Sequence, residues 1–231
     1  MREQIITDCI ILSRVDFREA DRILTVLTPD RGKVRLIAKG VRRAQSKLAG
    51  GIELFSISQV VYLPSRGEIH TLISSRLQQH YARIVQDIDR TMLTYDILRR
   101  THKITEDAAG SEYFQLLKGC FEGLDDHSVD NNLVELWFGM QLLQMSGQVP
   151  NLYTDNAGQK LKIDQTYSFD ADAMSFTPSD RGSFTANHIR LLRVGVSSGS
   201  PLHLRKIRDA ATYSTEAVQL TQDLLSHAGL R

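Results

Sequence analysis

Apolar and polar positions change period near Gln78. Before it the chain shows short apolar stretches and period-two alternation, cut by turn residues. Ile5 to Leu12 is apolar enough for a strand buried on both sides, and the polar stretch Ser13 to Asp21 follows it. Further strands are predicted over Arg22–Thr28, Lys33–Val41, Phe55–Leu63 and Glu68–Ser74. Pro29-Asp30-Arg31-Gly32 and Pro64-Ser65-Arg66-Gly67 read as tight turns, where proline presets φ and glycine tolerates any exit angle. A longer loop from Arg42 ends in Gly50-Gly51. Five strands in about 75 residues suit a small closed barrel of OB type over residues 1–78, and an SH3-like barrel fits the strand count nearly as well.

After Gln78 the period becomes helical. Tyr81, Ile84, Val85, Ile88, Met92 and Tyr95 fall on one face of a first helix. Ser111 is placed to cap a second, buried through Phe114, Leu117, Phe121 and Leu124. A third runs from about Val129 to Met145 on Leu133, Leu136, Trp137, Met140 and Leu143, stopping at Gly147 before Pro150. Residues 151–185 lose the helical period and read as turns and short strands. Helix returns over Thr185–Val194. A last helix begins at Ser200-Pro201, a cap followed by proline at the first helical position, and runs through Leu204, Ile207, Ala211, Val218 and Leu225. The expected fold is α+β: the barrel, then a helical domain over 79–231 packed as one bundle, with an irregular insertion at about 151–185.

Composition adds exclusions. The chain has 231 residues, 42% hydrophobic and 24% charged, enough for one large or two small cores. No apolar run approaches a membrane span, and Met1-Arg2-Glu3-Gln4 lacks a secretory pattern, so the expectation is a cytoplasmic protein without membrane contact. Cys9 and Cys120 stand in apolar contexts and are expected as buried thiols of a reducing compartment rather than a disulfide.

Charge changes the picture more. Formal net charge is +1, yet Arg31 to Ile52 holds seven basic residues and no carboxylate: Arg31, Lys33, Arg35, Lys39, Arg42, Arg43 and Lys47. A solvated basic surface is the bland reading; a focused patch on a near-neutral protein suits a polyanion. Alternation along Lys33–Lys39 sends Val34, Leu36 and Ala38 to the barrel core and Lys33, Arg35 and Lys39 outward with Ile37. Successive outward positions lie about 6.6 Å apart, a spacing that follows the phosphates of an extended strand. Arg42, Arg43 and Lys47 extend the row into the loop. Aromatics are sparse: Phe17 and Tyr62 are the candidate stackers, and Phe55 reads as core. Backbone electrostatics should therefore dominate, giving salt-sensitive binding indifferent to base sequence.

Catalytic signatures are missing: no phosphate-binding glycine loop, nucleophile elbow or zinc-protease helix motif occurs. Asp164, Asp170, Asp172 and Asp180 lack the glycine and glutamate of a calcium loop. The seven histidines show no ligand spacing with the two cysteines. No cofactor and no metal are expected. An RNA-binding OB module of translation or ribosome assembly, and a hydrolase using the Asp164–Asp172 carboxylates, stand as the alternatives.

Asp21-Arg22-Ile23-Leu24, Gly32-Lys33-Val34, Ala38-Lys39-Gly40-Val41-Arg42-Arg43 and Ser46-Lys47-Leu48-Ala49-Gly50-Gly51 resemble the N-terminal barrel of the bacterial RecO family of DNA repair proteins. Gly147-Gln148-Val149-Pro150-Asn151-Leu152 resembles the family's segment ending its central helices. The resemblance implies an OB-fold followed by helices, with no bond-breaking activity. It also implies binding to single- and double-stranded DNA, annealing of complementary strands, and contact with the acidic tail of single-strand binding protein. Cooperation with RecR in loading RecA follows, with nucleoid association during repair. DNA contact carries over to Lys39, Arg42, Arg43 and Lys47; Arg22, Lys33 and Arg35 join them on the strand argument. Many members hold zinc on four cysteines after this segment. Here none follows Pro150, so the insertion must be held by Leu161, Ile163, Tyr167, Phe169 and Phe176. A hydrophobic pocket edged by Arg99, Arg100 and Lys103 would suit an acidic peptide.

Overall fold

The computed structural model describes residues 3–105 and 110–230. Two compact units divide at Asp125 and Asp126. The change near residue 78 marks only the passage from strand to helix, because the first two helices pack with the barrel.

Five strands close the first unit's barrel: β1 (Ile5–Phe17), β2 (Asp21–Thr28), β3 (Gly32–Ala38), β4 (Ser56–Leu63) and β5 (Ile69–His80). Their order is β1-β2-β3-β5-β4, the expected OB arrangement, with β3 and β5 parallel. β1 outruns its apolar segment. A bulge between Ile11 and Ser13 bends it from β4 onto β2, so the polar residues to Phe17 are strand too. Inward positions alternate as expected, with Cys9, Ile11, Leu24, Val26, Val34, Leu36 and Ala38 forming the core. The neighbouring Ile10 and Leu27 are also buried; α1 (Ile88–Ile104) contacts β1, and α2 (Ser111–Asp125) contacts both β1 and β2. That is why β1 begins as an unbroken apolar run. Cys9 and Cys120 are free buried thiols, and desolvation pushes Cys9 up to about 12.

α1 departs from its predicted face. It starts at Ile88, capped by the Asp87 carboxylate accepting from Arg90 N–H at 3.0 Å, and Gln78–His80 belong to β5. Ile88 and Met92 are 72% and 61% exposed, while Arg90, Thr94, Ile97, Leu98 and Thr101 are buried. Local hydrogen bonds permit this. Arg90 donates to Leu124 O at 2.8 Å, and the Thr94 and Thr101 hydroxyls donate to carbonyls one turn back. α2 buries Phe114, Leu117, Phe121 and Leu124 as expected, with Ser111 its first helical residue.

In the second unit α3 (Asn131–Met145) is capped by Asp130 and ends at Gly147, where φ is +72° and Gln148 N–H closes back onto Leu143 O at 2.8 Å. The segment after it forms a sheet of β6 (Asn151–Asp155), β7 (Thr166–Asp170), β8 (Ser175–Pro178) and β9 (Phe184–Thr185), in the order β6-β8-β7-β9. Phe176 lies at its centre, with Tyr167, Phe169 and Phe184 edge-on around it. Leu161 is half-buried, but Ile163 is 86% exposed and holds nothing together. α4 (Ala186–Ser197) follows, with Thr185 and His188 forming its capping box. The predicted last helix is split. Ser200-Pro201 opens a 3-10 turn over Pro201–Lys206, and Asp209 in the left-handed region (φ 56°) precedes α5 (Ala210–His227). Among the described residues no helix is long and apolar enough to cross a membrane.

Candidate nucleic-acid interface

Strand alternation on β3 holds: Val34, Leu36 and Ala38 are buried while Lys33, Arg35 and Ile37 face outward. The strand stops at Ala38, earlier than predicted. Gly40 takes φ +65° and gives its N–H to the Asp21 carboxylate at 2.7 Å, which turns the chain. Lys39 is thus the first residue of the loop. Arg42 N–H then bonds Ala20 O at 3.0 Å. These two bonds fasten the loop after β3 to the β1–β2 turn, where Arg18 (φ 52°) lies over the Phe17 ring at 5.2 Å. Phe17 is partly exposed there, as a stacker must be. Tyr62 is not: it is a core residue stacked on His70.

The cations divide by what holds them. Lys33 Nζ donates to the carbonyls of Thr105 and His102 at 2.7 and 3.3 Å, at the end of α1. Two of its three ammonium N–H groups are therefore engaged by the fold, and the row expected along β3 is interrupted at its first member. Arg35 meets Glu68 at 3.4 Å, an exposed pair that a phosphate can displace. Arg22 is registered with Ala38, so its side chain leaves the opposite face of the sheet from Lys33 and Arg35. It reaches Asp16 at 2.8 Å, and Arg42 reaches the same carboxylate at 3.5 Å. The Arg22 hydrogen bond, helped by the Arg42 charge, holds Asp16 below the usual carboxylate range. Among the described residues no carboxylate comes within ion-pair distance of Lys39, Arg43 or Lys47, and all three are exposed. The structure thus gathers Arg22, Lys39, Arg42, Arg43 and Lys47 about one end of the barrel, with Arg35 on the flanking face.

Sequence reasoning missed two contributors. Arg18 became relevant only once the β1–β2 turn was tied to the loop. Val15, Ile23 and Ile37 lie side by side across three strands as a partly exposed apolar strip, visible only after the bulge sets the register. Gly50-Gly51 has a structural explanation. A Cβ on Gly51 would lie 2.6 Å from the Ser75 backbone, whereas one on Gly50 would meet nothing. Of the bases proposed for an acidic peptide, Arg99 and Arg100 both pair with Asp96, and Arg100 is buried. Among the described residues no cluster of three metal-ligating side chains occurs.

Residues 1–81 match the family described as "Recombination protein O N terminal". A protein named "DNA repair protein RecO" from Dehalococcoides mccartyi is 31% identical over 227 residues, covering 97% of this chain and 86% of its own. Its namesake from strain CBDB1 is 32% identical over 228 residues with the same coverage. One from Desulfatibacillum aliphaticivorans is 32% identical over 149 residues, 63% of this chain and 58% of its own. The barrel with its basic end and the similarity along nearly the whole length agree: this chain belongs to the RecO family.

Proposed function

We propose that this protein acts in DNA repair and recombination by binding DNA and annealing complementary single strands, without breaking or forming covalent bonds. The observation that carries this is the basic end of the barrel, where Lys39, Arg43 and Lys47 stand exposed with no carboxylate partner among the described residues and Arg22 and Arg42 share one. Phosphates arriving at Lys39, Arg43 and Lys47 displace counterions rather than established ion pairs. The apolar strip of Val15, Ile23 and Ile37 and the Phe17 ring offer surfaces for sugars and bases. Cations that screen two backbones at once lower their mutual repulsion, which is the physical requirement for annealing. Family membership supports the finer assignments: RecR as partner in loading RecA, the acidic tail of single-strand binding protein as a second contact, and a cytoplasmic site of action.

Annealing of complementary oligonucleotides by the wild type and by an Arg42→Ala, Arg43→Ala double variant tests the proposal. Loss of annealing with an unchanged circular dichroism spectrum supports it; unimpaired annealing refutes it.

A further inference from the structure

The end of the barrel away from the basic loop opens into a cleft of about 420 Å³. It exists because strand pairing runs out: β3 meets β5 only through Arg35–Ile37, and Pro64 has no N–H to continue β4. The gap lies between the β2–β3 and β4–β5 turns. Ile5 and Pro64, both half-buried, supply an apolar wall, with the buried Val34 and Tyr62 behind them. Arg31, Lys33 and Arg35 supply a cationic rim, opposed among the lining residues by one carboxylate, Glu68. Asp30, outside the lining, lies 3.6 Å from Arg31, so three positive charges less two negative leave one. Lys33 has one ammonium N–H left beyond the two carbonyls that it bonds.

His70, also lining the cleft, adds a directed donor. Its Nδ1 accepts from Ser65 N–H at 3.2 Å, so the neutral ring carries its proton on Nε2. Its ring is parallel to Tyr62 within 4° at 5.5 Å, which fixes its orientation. A phosphomonoester carries close to two negative charges at neutral pH and accepts several charge-assisted hydrogen bonds. The volume is that of a small-molecule site, and a mixed apolar and cationic lining suits a planar base joined to a phosphate. We propose that this cleft binds a nucleotide, its phosphate among Arg31, Lys33 and Arg35 and its base against the apolar wall. The site is separate from the basic loop and does not rest on the function proposed for it.

Calorimetric titration of the full chain with adenosine monophosphate tests this, with adenosine and inorganic phosphate as single-group probes. Arg31→Ala should weaken binding about tenfold through loss of one charged contact. Glu68→Gln should tighten it several-fold, a gain that misfolding cannot imitate. Displacement by an oligothymidylate bearing a terminal phosphate, and not by its hydroxyl-ended twin, would identify a DNA strand end as the source. Displacement by neither would identify the free nucleotide. No binding at about 1 mM, or an affinity indifferent to both substitutions, overturns the proposal. Oligonucleotide binding by the loop is read separately and can survive that result.

Discussion

Lys33 Nζ donates to the Thr105 carbonyl at 2.7 Å, so a cation drawn from the barrel closes the C-terminal end of α1. The helix dipole and the orphan carbonyls favour a positive charge there. Lys33→Ala should lower unfolding free energy by about 1–2 kcal/mol. It should leave affinity for a hydroxyl-ended oligonucleotide unchanged within about twofold, since the lysine lies outside the loop cluster. Chemical denaturation beside a binding titration separates the two effects.

Asp16 restrains the interface. It holds Arg22 and Arg42 together, and the Arg22 hydrogen bond holds its carboxyl below the ordinary range. Asp16→Asn should release one or both arginines, tightening DNA binding and steepening its salt dependence by about 0.7 per phosphate gained. Weaker binding by this variant would mean that Asp16 orients the arginines for DNA rather than competing with it.

The two loop glycines should part company. Gly51→Ala forces a Cβ into the Ser75 backbone and should cost about 1–3 kcal/mol. Gly50→Ala meets open space and should stay within about 0.5 kcal/mol of wild type. Equal effects in thermal unfolding would show that the loop does not pack on β5 as described.

Acid should loosen the second unit. His188 is buried, its Nδ1 accepting from Thr185 N–H at 3.0 Å, and burial lowers its pKa although Glu216 pulls the other way. The unfolded chain therefore binds the proton first, near the ordinary histidine value of about 6.5. The stabilising contribution is complete above that value and is lost as pH falls through the lower folded pKa. Trp137, the single tryptophan, is buried in the same unit and reports its unfolding. Its melting temperature should drop between neutral pH and pH 5 in the wild type, and drop less in His188→Gln. His102, lowered by burial and by Lys33, contributes with the same sign in the first unit.

How far the fold was legible varies with what each residue's environment hides. β3 could be read because Val34, Leu36 and Ala38 alternate with charges, and period two has no other economical meaning. α2 and α3 could be read because their buried faces are apolar throughout. α1 could not. Its buried face carries Arg90, Thr94 and Thr101, polar groups whose partners are carbonyls of the helix itself or of Leu124, and composition does not reveal such partners. The split before α5 was hidden by a sound helix-start signal at Ser200-Pro201 that opens only a short turn. In the interface, side-chain parity was legible and pairing was not. Nothing in the local sequence tells that Lys33 is taken by α1, or that Arg22 and Arg42 converge on Asp16.

Titration of single-stranded oligonucleotide binding against salt tests the central claim most directly. With about four to six phosphates neutralised, log affinity should fall against log salt with a slope of about −3 to −4. A Lys39→Ala, Arg43→Ala, Lys47→Ala variant should flatten that slope by about 2 while its circular dichroism is retained. A slope unchanged by the three substitutions would place the DNA elsewhere on the molecule and contradict the account.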